Sequence, residues 1–191
     1  MNLLYIHGWG SRFDVNSDKI AELSKVYKVF GINIKYTDPL AKIQENLYDA
    51  MVSFEVDFLV GTSMGGYLAH MMGNRNSIPY VMINPVIDPA ITLLKYVGSG
   101  LDHYGSPYEL TEAQCKTFPA ISESNFSGLL LLDMDDDVID ANKTAQIFLN
   151  SEQVQTYTWK HGSHRFDHMK EAVPIIQEFE SAWMSYGFGD N

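Results

Sequence analysis

Apolar residues recur along this chain in two rhythms, and their alternation predicts the fold. Asn2–Ile6, Phe58–Gly61, Tyr80–Ile83 and Gly128–Leu132 are short, nearly unbroken apolar runs, the habit of strands covered on both faces. Val29–Tyr36, which alternates and is β-branched, and Val154–Trp159 complete a set of six expected strands. Between them apolar positions fall three or four residues apart. Ile20, Leu23, Val26 and Tyr27 mark a helix over Asp18–Val26 with Ser17 as cap. Leu40, Ile43, Leu47, Ala50 and Met51 mark a second, with Asp38 as cap and Pro39 in its first turn. Further helices are expected over Met64–Gly73, Ala141–Asn150 and Met169–Tyr186, the last kinked at Pro174.

Strands alternating with helices at this spacing give an α/β architecture: a largely parallel sheet of about six strands with helices on both faces. The rhythm fails from Pro85 to Phe126, which carries Pro85, Pro89, Pro107 and Pro119 and the aromatics Tyr96, Tyr104, Tyr108 and Phe118. Irregular insertions of this length are usually functional. Residues 85–127 are expected to form a mostly helical lid, with Ile91–Val97 as its clearest helix, on a single domain spanning residues 1–191. No internal repeat or linker divides the chain.

Composition narrows the partners. The 191 residues are 46% hydrophobic and 13% aromatic, as in a well-packed globule. A formal charge of −11 argues against nucleic acid or an anionic membrane surface, which require a positive footprint. Cys115 is the only cysteine; an internal disulfide is ruled out, and the thiol is expected to be a buried packing group. The N-terminus starts directly with a strand, and no run approaches 18 apolar residues, so a cytoplasmic location without a membrane span is expected.

The chemistry gathers at strand ends. Gly61-Thr-Ser63-Met-Gly65-Gly66 stands between an apolar strand and a helix, the setting of a nucleophile elbow. That turn is so tight that the positions two before and two after the serine accept only small residues. In a parallel sheet all C-terminal strand ends share one edge, and three more carry suggestive groups: His7-Gly8-Trp9, the acidic run Asp133–Asp140, and the cluster His161, His164 and His168. A serine hydroxyl needs a base, an imidazole titrates near working pH, and a carboxylate must hold its other nitrogen. His164, in the loop between the last strand and helix, is the expected base. Asp136, two residues before Val138, is the expected acid, with Asp135 and Asp137 as rivals. The backbone N–H groups of Trp9 and Met64 are the expected oxyanion donors, while His7 is expected to organise its loop by hydrogen bonding. Trp9, Met64, Tyr96 and Tyr104 are candidate pocket residues. The three histidines lack the further ligands of a zinc signature, and neither metal nor cofactor is expected.

With these pieces in view, the chain resembles the small bacterial α/β-hydrolases of the YqiA-type esterase family. The resemblance rests on Leu4-Tyr-Ile-His-Gly8, Gly61-Thr-Ser-Met-Gly-Gly-Tyr67, Ile83-Asn-Pro-Val-Ile87, Asp136-Asp-Val-Ile-Asp140 and Gly162-Ser-His-Arg-Phe166. It implies an α/β-hydrolase fold, a triad of Ser63, Asp136 and His164, and hydrolysis of carboxylic esters. Two departures stand out: Asp135 replaces the glycine usual before the triad aspartate, and His161 precedes a single Gly162 where two glycines are usual. The expected activity is cleavage of small esters or thioesters through an acyl-enzyme. The alternatives are an idle hydrolase-fold binding protein and a hydrolase of amide or peptide bonds.

Overall fold

The computed structural model describes residues 1–187. In chain order its strands are β1 (Asn2–Ile6), β2 (Lys28–Gly31), β3 (Phe58–Thr62), β4 (Tyr80–Ile83), β5 (Gly98–Leu101), β6 (Pro107–Leu110), β7 (Gly128–Asp133) and β8 (Val154–Trp159). Its helices are α1 (Asp18–Leu23), α2 (Leu40–Ser53), α3 (Met64–Asn76), α4 (Pro89–Thr92), α5 (Glu112–Cys115), α6 (Ala141–Phe148) and α7 (Met169–Gly187), with a 3₁₀ turn at Leu93–Tyr96. Six strands form one parallel sheet in the order β2-β1-β3-β4-β7-β8, as the apolar runs predict. Strand side chains alternate between two cores. Leu4, Ile6, Leu59, Met82, Leu130 and Leu132 pack beneath α2 and α3, whereas Leu3, Tyr5, Val60, Val81, Leu129 and Leu131 pack against α1 and α7. Cys115 is fully buried.

Several boundaries differ from the sequence expectation for identifiable reasons. The expected strand Val29–Tyr36 is only Lys28–Gly31. Beyond Gly31 the chain leaves the sheet toward His7, whose Nε2 accepts from Ile34 N–H at 2.9 Å and whose carbonyl accepts from the Tyr36 hydroxyl. Asp38 does not cap α2; Pro39 holds the cap position and Asp38 instead pairs with Lys42 at 3.1 Å. Helix α1 stops at Leu23, short of Val26, and α6 at Phe148; Ser17 takes the cap position of α1 without a side-chain bond. Helix α3 continues past Gly73 to Asn76, and α7 is one unbroken helix through Pro174.

The segment between β4 and β7 is not mostly helical. Helix α4 and the 3₁₀ turn split the expected Ile91–Val97 helix, and β5 and β6 form an antiparallel hairpin. The hairpin turn is made by Asp102, whose Oδ1 accepts from the N–H groups of Tyr104 and Ser106 at 2.9 and 2.8 Å. Gly100 lets the Tyr108 ring lie across the ribbon, where a Cβ would come within 2.6 Å of its hydroxyl. Short polar turns of this kind carry no hydrophobic period, and none was visible.

Candidate active site

Ser63 stands between β3 and α3 with φ 57° and ψ −120°, a conformation non-glycine residues rarely hold. Two glycines make it possible. A Cβ at Gly61 would lie 2.0 Å from the Gly65 carbonyl oxygen, and one at Gly65 would lie 1.9 Å from the Ile6 carbonyl oxygen. The turn is braced by Ser63 N–H to Ile83 O at 2.9 Å and by Val86 N–H to Ser63 O at 3.2 Å.

His164 reaches Ser63 from the loop between β8 and α7. Its Nε2 is 2.9 Å from Ser63 Oγ, and its Nδ1 is 2.7 and 3.0 Å from the two oxygens of Asp136. The Asp136 side chain is fully buried, and Oδ1 also accepts from Val138 N–H at 2.8 Å and Ile139 N–H at 2.9 Å. An ionised carboxylate with these donors fixes Nδ1 as the protonated nitrogen and leaves the Nε2 lone pair facing the serine hydroxyl.

The neighbouring carboxylates go elsewhere. Asp135 meets His161 at 3.2 Å with both side chains exposed, Asp137 is exposed, and Asp140 caps α6 by accepting from Lys143 N–H. His168 pairs with Asp133 at 2.6 Å. The three histidines of the cluster therefore face three different aspartates.

The β1 loop closes the other side. A Cβ on Gly8 would lie 3.2 Å from Ser63 Cβ and 3.6 Å from its Oγ, so Trp9 follows at the rim of the site. Met64 opens α3, and its N–H has no acceptor within the helix. His7 organises this loop. Its Nδ1–H donates to Gly8 O at 2.8 Å and its Nε2 accepts from Ile34 N–H, a pattern only neutral imidazole can make, and burial lowers its pKa in the same direction.

The candidate pocket residues part company. Trp9 stacks on Tyr96 with ring centroids 5.4 Å apart, and Tyr108 meets Trp9 edge-on at 5.2 Å. Tyr104 lies at the hairpin turn under the Arg12 guanidinium, 3.6 Å from its ring centroid, while the Met64 side chain is 1% exposed within the core. Tyr108, not Tyr104, thus joins the aromatic group beside the β1 loop, and Met64 offers backbone only. A cleft of about 320 Å³ between α3 and residues 119–125, and another of about 690 Å³ between α2 and α3, both lie away from Ser63.

Two features escaped the sequence reading of roles. Asn84 is fully buried with φ 42°; its Nδ2 donates to Ser163 O and its Oδ1 accepts from Asp133 N–H, both at 2.9 Å. Its place directly after an apolar strand, ahead of Pro85, was the available signal. Asp133, the last residue of β7, is also fully buried, and was obscured by the acidic run that follows it.

A six-stranded parallel sheet with a strained serine turn after one strand, and an acid and a histidine on loops after later ones, defines an α/β-hydrolase-fold protein. Solved structures agree on the fold. Est1E from Butyrivibrio proteoclasticus superposes with a TM-score of 0.75 at 14% identity, covering 96% of this chain and 88% of that one. Mouse alpha/beta hydrolase domain-containing protein 10 gives 0.74 at 13%, covering 95% and 90%. A monoacylglycerol lipase of Paleococcus ferrophilus gives 0.70 at 13%, covering 93% of each. The chain belongs to the uncharacterised protein family UPF0227, whose sequence profile matches residues 2–181, in keeping with the YqiA-type resemblance. A UPF0227 protein of Vibrio cholerae serotype O1 is 26% identical over 180 residues, covering 88% of this chain and 97% of that protein. One from Shewanella woodyi is 23% identical over 186 residues, covering 93% and 98%. Among the described residues no helix is long and apolar enough to cross a membrane.

Proposed function

We propose that this protein is a serine hydrolase that cleaves carboxylic esters or thioesters of small acyl substrates. The observation that carries the reading is the continuous line from Ser63 Oγ through His164 to the buried Asp136 carboxylate. Ser63 Oγ attacks the carbonyl carbon as His164 Nε2 takes the hydroxyl proton. Asp136 holds the imidazole's orientation and stabilises the cation that forms. The N–H groups of Trp9 and Met64 receive the oxyanion. His164 then gives its proton to the departing alkoxide or thiolate. Water enters, His164 accepts its proton, the hydroxide oxygen attacks the acyl carbon, and the proton returns to Ser63 as the acid leaves. Residues 85–127 act as the lid. Support comes from the aromatic contacts of Tyr96 and Tyr108 with Trp9 and from His103 N–H bonding Gly10 O at 3.0 Å, which seat this segment on the oxyanion loop.

A fluorophosphonate probe should label Ser63, and a panel of p-nitrophenyl esters and thioesters of graded acyl length should show turnover that Ser63→Ala lowers about 10⁴-fold or more. Turnover retained in Ser63→Ala, or no labelling and no turnover in the wild type, overturns the proposal.

A further inference from the structure

The loop that carries His164 makes few bonds within itself, with Ser163 Oγ accepting from Arg165 N–H at 3.3 Å. Between Trp159 and Met169 the internal backbone bond is Phe166 N–H to Ser163 O, too little to fix a nine-residue connection. Its anchors come from two neighbouring strand ends. Asn84, after β4, takes Ser163 O. Asp133, at the end of β7, takes the loop at three points. Its Oδ2 accepts from Asp167 N–H at 2.9 Å, its Oδ1 accepts from His168 Nδ1–H at 2.6 Å, and its carboxylate lies against Gly162. The last contact is so close that a Cβ on Gly162, already at φ +119°, would fall 2.0 Å from Oδ2. Asn84 Oδ1 in turn holds Asp133 N–H, and Asp133 O accepts from Asp136 N–H at 3.2 Å.

These anchors bracket His164 on both sides and tie its loop to the residue three before the acid it faces. A buried carboxylate is costly unless donors surround it, and Asp133 has a ring N–H and a backbone N–H directed at it. The His168 ring is braced in turn, stacked on Trp159 with centroids 5.4 Å apart and 11° between planes.

We propose that Asp133 and His168, bonded directly to each other and joined to Ser163 through Asn84, form a second aspartate–histidine pair that acts as a clamp positioning His164 against Ser63. The proposal rests on the hydrolase reading for its kinetic consequence and on the loop geometry alone for its structural one. Asp133, His168 and Asn84 are positioning residues: their hydrogen bonds go to neither Ser63 nor the His164 ring but to the loop on either side of it.

Two substitutions at the partly exposed His168 separate the hydrogen bond from the stacking. His168→Phe keeps a ring on Trp159 and removes the donor; His168→Gln supplies an amide donor without the ring. Both are measured by ester kinetics and by hydrogen exchange of peptides covering residues 160–168, with β4 and β7 peptides as internal reference. A small misplacement of a catalytic base costs on the order of 10–100-fold. His168→Phe should therefore lower kcat by that amount with KM nearly unchanged and speed exchange in 160–168 alone, and His168→Gln should recover most of both. Wild-type kinetics and exchange in His168→Phe overturn the clamp, and loss confined to His168→Gln would assign the effect to stacking. Loss in His168→Gln as large as in His168→Phe, where a restored donor fails to rescue, overturns it as well. If the wild type neither labels nor turns over, the hydrolase reading fails, yet the exchange comparison still decides the clamp: faster in Phe than in Gln supports it, no difference overturns it.

Discussion

Adding one methyl group at Gly65 should loosen the whole molecule. The new Cβ would sit 1.9 Å from Ile6 O, 2.6 Å from Ile6 C and 2.7 Å from His7 O, where real Cβ atoms keep at least 3.0 Å. The obstacle is backbone, and β1 is paired on both sides, with β2 and with β3, so it cannot step aside as a side chain would. Overpacking a core costs about 1–3 kcal/mol where side chains can yield, and a rigid strand places this case at or above the upper end. Alanine recovers about 1 kcal/mol of helix propensity, leaving a net loss of about 2–4 kcal/mol. In a domain of this size that corresponds to roughly 5–15 °C in melting temperature. Gly66→Ala is the control: its Cβ would meet Pro85 Cβ at 3.0 Å and Gly61 O at 3.1 Å, a mild contact that the helix gain offsets to within about 1 kcal/mol. Thermal melts followed by circular dichroism, with urea titrations for the free energies, make the comparison. A Gly65→Ala protein melting with the wild type, or a Gly66→Ala protein less stable than Gly65→Ala, would refute the account of the elbow.

His70 carries a pH dependence that can be separated from the active site. Burial against the Tyr80 and Phe148 rings lowers its pKa to about 4, below the value of about 6.5 in the unfolded chain. The unfolded state thus binds the extra proton between those values, so stability is full above about pH 6.5 and falls by about 2–4 kcal/mol as pH drops toward 4. His70→Phe should flatten that part of a urea-stability profile, and an unchanged slope would count against the assignment. Among the acids, Asp136→Asn should lower turnover by about 10⁴-fold, whereas Asp135→Asn and Asp137→Asn should stay near wild type. A large loss at Asp135 or Asp137 would move the acid role.

The strands of the large sheet were the most legible part of the chain, because Phe58–Gly61, Tyr80–Ile83 and Gly128–Leu132 are buried on both faces and must be apolar throughout. The elbow was legible because the serine turn brings Gly61 against the Gly65 backbone four residues on, which fixes a short motif, although the contact that Gly65 itself avoids, with Ile6 O, is remote in sequence. Residues 32–36 misled because apolar alternation also suits a segment whose Tyr36 is buried against the β1 loop. The hairpin Gly98–Leu110 was hidden because glycine spacing and one aspartate turn define it, with no hydrophobic period. Tyr104 and Tyr108 looked equivalent in sequence, and only the hairpin register sends one to Arg12 and the other to Trp9. Asp133 could not be told from its acidic neighbours, since what distinguishes it is burial set by β7.

The parts that meet at Ser63 come from remote stretches of chain: residues 7–9, Ser63 itself, Asp136, and His164, which lies 101 positions from the serine it faces. Parallel pairing of β4 with β7 and of β7 with β8 must occur before the last two can arrive. Pairing of this non-local kind is slow, because loop-closure entropy is lost before contacts reward it. A folding intermediate holding β1, β3 and α3 would already present the strained serine turn with nothing to activate it. On the proposed hydrolase reading, chemical competence is a late product of folding, and recovered turnover would report completion of the sheet more stringently than recovered helix signal does.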